Sequence, residues 1–324
     1  MVEIGFKLCS EERSPLGLVE DAQRAEEAGF DFAAISDHFH PWIDAQGEAS
    51  FVWTTLGAIA NVTERMMIGT AVTCPTIRIH PAIIAQAAAT VGSLMPGRFF
   101  LGVGTGERLN EHVLGDRWPN GAQRRDRLRE AIEVIRELWR GELVSREGAH
   151  YEIDTARLYT LPDQPIPIYV AAGGAEAARL AAEVGDGLLC SGPNENAVRT
   201  FRDAGGAGPR MAEMLVCVAD QDEALQTIRK QWPNPAIPGD ASAELPLPSD
   251  FEAAAKAVQD EDLQASAVIG LDAEPYLERI GEYARMGFTH VFLHQVGADQ
   301  TRFLDFAKRE LLSAARAIST TQAA

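Results

Sequence analysis

The strongest constraint on this chain is a rhythm. Short apolar runs stand at 2–8 (VEIGFKL), 32–36 (FAAIS), 66–72 (MMIGTAV), 98–104 (RFFLGVG), 167–171 (PIYVA), 187–190 (GLLC), 214–219 (MLVCVA) and 290–294 (HVFLH). Amphipathic stretches of helical period separate them, at 15–28, 51–63, 80–95, 121–140, 175–184, 194–204, 221–231, 273–287 and 300–317. The runs are apolar throughout instead of alternating, which indicates parallel strands buried on both faces by helices. An open doubly wound sheet and a closed barrel both satisfy this pattern. Eight βα units in 324 residues favour a single (βα)8 TIM barrel domain spanning 1–324. Two stretches break the rhythm and read as insertions. One is 141–166, where YEI and RLYTL suggest a small hairpin, and the other is 232–262, rich in Pro and Ala. The tail 319–324 (STTQAA) lacks apolar residues and is expected to fray.

A chain of this length buries a large core without staples. Its formal charge of −18 argues against nucleic acid and anionic membrane surfaces as partners. The four cysteines, Cys9, Cys74, Cys190 and Cys217, are far apart and sit mostly in apolar runs, as reduced buried thiols do. No run is long enough to span a bilayer, and the N-terminus is too short and acidic for a signal peptide. The expectation is a soluble cytoplasmic protein acting on a small molecule.

In such a barrel, chemistry belongs to the loops that follow the strands. After the second run comes SDHFHPW, which places Asp37, two imidazoles and an indole close together. In an extended chain His38, His40 and Trp42 would share a face. A His-x-His pair could also chelate a metal, but of the other histidines (His80, His112, His150, His290, His294) only His294 clearly ends a strand. The ligand count is too small for a metallohydrolase, and no metal is expected. After the fourth run comes GVGTGERLNE. Its glycines fail the dinucleotide spacing, since Glu107 stands where the third glycine would be. They would instead let a flat ligand approach the backbone, with Glu107 reaching toward it. After the fifth run, Gly173 and Gly174 open a helix whose free amides suit an anion.

SDHFHPW, GTAVTCPTIRIHPAIIAQAAAT, PGRFFLGVGTGERLNE and IYVAAGGAEAARLAAEVGDG together resemble the luciferase-like flavin and deazaflavin oxidoreductases. More narrowly they resemble the branch that uses coenzyme F420, with its glucose-6-phosphate and secondary alcohol dehydrogenases. The likeness runs from Gly5 to about Gly192 and resumes over 287–304. It implies an F420-dependent dehydrogenase that moves hydride between the deazaflavin C5 and a hydroxyl-bearing carbon. By position, His38 is the imidazole that takes the hydroxyl proton, Trp42 the indole supporting the substrate side, and Glu107 the carboxyl near deazaflavin N1. Asp37, Cys74, Asn110, Gly173 and Gly174 are the implied cofactor contacts, together with Ala71 and Val72, which a non-prolyl cis peptide joins in that family. Glu11 and His40 are the implied substrate contacts, and the resemblance also implies a homodimer.

One departure bears on substrate. Pro193 stands near a lysine that helps to bind the sugar phosphate in the glucose-6-phosphate enzymes, and proline offers neither charge nor N–H. Of the four lysines only Lys256 lies in a region that could replace it, with Arg279 as another candidate. Glucose-6-phosphate is therefore a doubtful substrate. An FMN-dependent monooxygenase, an F420-dependent C=C reductase, a TIM-barrel metallohydrolase and a non-catalytic cofactor-binding protein are the alternative readings.

Overall fold

The computed structural model describes residues 1–237, 243–297 and 299–318. The tail expected to fray, 319–324, lies outside the described residues. Eleven strands occur among the described residues: β1 (Glu3–Leu8), β2 (Phe32–Ile35), β3 (Met67–Thr70), β4 (Phe99–Val103), β5 (Val144–Glu147), β6 (Glu152–Ala156), β7 (Ile168–Ala171), β8 (Gly187–Cys190), β9 (Arg210–Cys217), β10 (Val268–Ile269) and β11 (His290–Gln295). Eight of them pair in parallel in the order β1, β2, β3, β4, β7, β8, β9, β11, and β11 returns to β1. The sheet is thus a closed (βα)8 barrel with no free edge among these eight strands.

Alternation along each strand sorts residues between two cores. Ile4, Phe6 and Leu8 of β1 face outward into the layer packed by helices. Phe32, Phe100, Tyr169, Met211 and Phe292 fill the barrel interior. Glycines make room for these rings: a Cβ on Gly5 would stand 2.4 Å from the Phe32 ring, and one on Gly69 would stand 2.3 Å from Phe100. Large and small residues therefore interlock across the plug, as close packing requires. The next inward positions, Lys7 on β1, Glu213 on β9 and His294 on β11, are charged or polar. They form a layer above the aromatic plug, at the end where the strands' C-termini open.

The helices largely match the sequence periodicity. Pro15–Ala28 begins at an N-cap Ser14 and stops at Gly29, which is left-handed at φ 98°. Gly121–Leu138 begins with an Asn120/Gln123 capping box. Two expectations need correction. The hairpin in 141–166 pairs β5 with β6, so RLYTL is not a strand. The seventh barrel strand starts at Arg210, before its apolar run. The segment read as an insertion at 232–262 holds helix Pro248–Ala255 and the start of helix Asp260–Ser266, which leads into β10, a strand that extends the sheet from β9. Phe251 and Leu263, both fully buried, fix these helices to the barrel mouth.

Candidate active site

A cavity of about 490 Å³ opens at the C-terminal ends of the strands. A smaller one of about 390 Å³ on the barrel flank, between Arg136 and Pro165, gathers no acid–base constellation. The larger cavity is within the usual size range for ligand sites. Its floor and walls come from the loops after six strands, and the 232–237 segment of the insertion closes one side with Trp232, Asn234 and Ile237.

Glu11, in the loop after β1, is buried beneath one wall. Its Oε2 accepts hydrogen bonds from the hydroxyls of Ser10 and Ser36 and from the Cys9 thiol, and its Oε1 faces His38 Nε2 at 3.4 Å. Burial alone would raise its pKa, but the charges of His38 and Lys7 and the Ser36 hydroxyl overcome that and bring it to about 2. Glu11 is therefore an ionised carboxylate at neutral pH. His38 Nδ1 stands 3.1 Å from the His40 carbonyl and 3.2 Å from Asn110 Nδ2. The Trp42 ring lies beside the imidazole, with centroids 5.0 Å apart.

The Asn110 amide has a fixed orientation. Its Oδ1 accepts from the backbone N–H groups of Phe39 and His40, so its NH2 must face His38 Nδ1 and, at 3.3 Å, Glu107 Oε2. When Nδ1 donates to the His40 carbonyl, Nε2 keeps a lone pair. When Asn110 donates to Nδ1, the Nε2 proton faces Glu11. Both neutral tautomers of His38 thus have partners, and so does the protonated ring.

Lys7 lies under the cavity. Its ammonium donates to the Ala71 carbonyl at 3.2 Å and pairs with Glu213 at 3.5 Å. Burial favours its neutral form, yet Glu213 and Glu11 more than reverse this and raise its pKa above the ordinary lysine value. Asp37 accepts from Thr73 Oγ1 at 2.7 Å and from Arg78 at 2.8 Å. Glu111 accepts from the Arg78 amide, and burial pushes its carboxyl up to about 7 despite the Arg78 charge. The Ala71–Val72 peptide is cis.

Glu11, Asp37, His38, Trp42, Ala71, Val72, Cys74, Glu107, Asn110 and Gly173 all line this one cavity. His40 does not: the chain bends at Phe39, and its ring bonds the Leu109 carbonyl at 2.9 Å and stacks on His112. His38, His40 and Trp42 therefore do not share a face, and the two imidazoles cannot chelate one ion. Gly174 is likewise outside the lining. It is the N-cap of helix Ala175–Val184, which no side chain caps. The reading of the 102–106 glycines changes too. A Cβ on Gly102 would strike the Thr70 carbonyl oxygen and one on Gly104 would strike Val72, so these glycines admit the neighbouring chain more than a ligand. Gly106, at φ 77° and over the Cys74 sulfur, is required by the turn itself.

The sequence reading missed Lys7, Glu111, Glu213 and Trp232. A charged residue inside an otherwise apolar parallel strand, as in EIGFKL or RMAEMLV, is the signal that could have found the first and third.

The luciferase-like monooxygenase family matches residues 8–290. The chain is 39% identical to an F420-dependent glucose-6-phosphate dehydrogenase from Beutenbergia cavernae, over 98% of each chain. It is 38% identical to the enzyme so named from Mycolicibacterium smegmatis, over 96% of this chain and 97% of that one. Among solved structures, an F420-dependent secondary alcohol dehydrogenase in complex with an F420-acetone adduct superposes with a TM-score of 0.90 at 29% identity, covering 97% and 99% of the two chains. A barrel with this cavity, spanning the whole length of these relatives, belongs to the luciferase-like family, in its branch of F420-dependent oxidoreductases.

Proposed function

We propose that the protein is an F420-dependent dehydrogenase acting on a hydroxyl-bearing carbon of a small uncharged molecule, or on the corresponding carbonyl in reverse. The observation that carries this reading is the placing of His38, backed by ionised Glu11, opposite Glu107 in one cavity, with Asn110 bridging them. The residues present suit the cofactor. A Cβ on Gly173 or Gly174 would meet nothing within 4 Å, so the turn is open to a ligand. The uncapped N-terminus of the ten-residue helix that follows offers free amides to an anion.

When bound, F420 supplies a carbon that accepts or returns hydride. His38 takes the hydroxyl proton at Nε2, and the adjacent Glu11 carboxylate favours the imidazolium that forms. Trp42 holds the ring from the side. Glu107 faces the cofactor side, with Asp37, Ala71, Val72, Cys74 and Asn110 contributing the wall. His40 acts on substrate only through the loop it braces.

The substrate class follows from charge. Among the described residues lining the cavity Lys7 is the one cation, and Glu213 and the Ala71 carbonyl already engage it. Lys256 and Arg279 do not line the cavity, and Arg279 pairs with Glu282 on its own helix. A phosphate ester would lose its hydration without a fixed cation to offset the loss. Steady-state reduction of F420 with 2-propanol, glucose and glucose-6-phosphate tests this. The uncharged alcohols should give the higher kcat/KM, and a clear preference for the phosphate ester would refute the substrate class. Calorimetry should show F420 binding far more tightly than NADP or FMN. We also propose a cytoplasmic homodimer, which sedimentation equilibrium checks. In support of solubility, none of the described helices is long and apolar enough to cross a membrane.

A further inference from the structure

Beneath the cavity, outside its lining, β1 and β11 run side by side and end in residues the reaction does not use. Cys9 and Glu12 stand in the loop after β1, and His294 is near the end of β11. One ligand atom from each, the Cys9 sulfur, a Glu12 carboxylate oxygen and a His294 ring nitrogen, all lie within 4.8 Å of one another. We propose that these three side chains form a binding site for one thiophilic divalent metal ion, with zinc the occupant best suited to the ligands. The site is separate from the F420 chemistry and does not rest on it.

Unsatisfied groups point to a ligand here. Neither Glu12 oxygen has a hydrogen-bond partner, nor does His294 Nε2, although the two side chains are only 3% and 0% exposed. Unpartnered buried polar atoms are costly, and several converging on one point are rare. Glu12 Oε2 and His294 Nε2 face each other at 3.6 Å, an ion-pair distance when the ring is protonated but longer than a hydrogen bond. Ligands held about 2.0–2.3 Å from one ion at tetrahedral angles stand roughly 3.3–3.8 Å apart, so this spacing suits two donors to a shared metal. The Cys9 sulfur lies within 4.8 Å of both, so about 1 Å of closure brings it into the set.

The surroundings are those of a built metal centre. His294 Nδ1 is held by Glu213 at 2.7 Å, which fixes the ring and leaves Nε2 as the ligating nitrogen. Such a carboxylate behind a histidine ligand raises its basicity. The Trp232 ring stands edge-on to the imidazole, with centroids 4.4 Å apart, and supplies an apolar cover. A mixed S, O, N set with one position left for water suits zinc or cobalt over calcium or magnesium. On binding, the cation displaces the proton of the Cys9 thiol, which leaves to solvent. Ligation removes the Cys9 hydrogen bond to Glu11, which keeps those from Ser10 and Ser36. The ion would join the first and last strands of the barrel without touching substrate.

Full-length protein, freed of metal by a chelator and without F420, is titrated with cobalt(II). The expected result is one equivalent bound per chain, with a near-ultraviolet sulfur-to-cobalt charge-transfer band that added zinc abolishes by displacement. Cys9→Ser should lose the band, and Glu12→Gln should weaken binding by about tenfold or more. Cys217→Ser, which removes a thiol of the same apolar cluster but outside the group, should keep both band and affinity. Wild-type protein that retains no cobalt, or binds it without the band, overturns the proposal even if a variant fails to fold. A band that survives Cys9→Ser in folded protein overturns it as well.

Discussion

Asn110 joins the two chemical halves of the cavity. Because Phe39 and His40 claim its carbonyl, its NH2 reaches both His38 and Glu107, and an apolar substitute would release four groups at once. Removing the proposed base, His38, is the sharper test. His38→Ala should lower turnover by roughly 10²–10⁴-fold while leaving F420 affinity nearly unchanged. Glu107→Gln should slow turnover as well, and His40→Gln should be mild, since that ring lies outside the cavity. Steady-state rates paired with calorimetric titration would check all three, and near-normal turnover in His38→Ala would contradict the assignment. Glu111 gives a pH prediction. Its carboxyl titrates at about 7 when folded against an ordinary 4.5, so the folded state holds the proton more tightly than the unfolded chain. The resulting stabilisation is complete below the ordinary value and is lost as pH rises through about 7. Relative to wild type, Glu111→Gln should gain up to roughly 3 kcal/mol between about pH 5 and pH 8. Urea melts at several pH values measure this, and a pH-independent difference would count against it.

Among the elements, the insertion after helix Gln221–Gln231 and the turn before helix Ala175–Val184 control access to the cavity. Phe251 is wholly buried and meets the Trp42 ring edge-on at 5.2 Å. Phe251→Ala should cost about 3–5 kcal/mol locally, loosening Pro248–Ala255 and raising KM more than it lowers kcat. Hydrogen exchange should show faster amides in that helix and unchanged ones in β1. At the other turn, Gly173→Asp adds a carboxylate where a side chain meets no neighbour. The fold should melt at the same temperature while F420 affinity falls by about tenfold or more, through repulsion at the helix N-terminus. These elements were not equally legible in the sequence. Buried parallel strands such as FFLGV and GLLC declare themselves because both faces must be apolar. Arg210–Glu213 did not, because Arg210 bonds the Gly208 and Gly287 carbonyls at the start of the strand and Glu213 belongs to the polar layer inside the barrel. VSRE was passed over for RLYTL because a half-exposed hairpin strand has no apolar run to display. The SDHFHPW loop was legible as chemistry but not as geometry: only the bend at Phe39 decides which imidazole enters the cavity.

For the whole molecule, the net charge of −18 and the acidic cavity act in the same direction. On the reading we propose, both favour uncharged substrates over phosphate esters, and the open glycine turn is a separate place for the cofactor's own anions. Ring closure carries a further consequence for how the molecule is made. The polar layer beneath the cavity is shared between Lys7, near the start of the chain, and His294, near its end, and β1 has no second neighbour until β11 arrives. During synthesis most of the chain therefore leaves the ribosome before this half of the site exists. An interrupted product ending before residue 290 would carry the SDHFHPW loop and the glycine turns but an unclosed sheet. It could neither turn over substrate nor hold Lys7 and Glu213 in their final setting, so activity begins only when the last strand is in place.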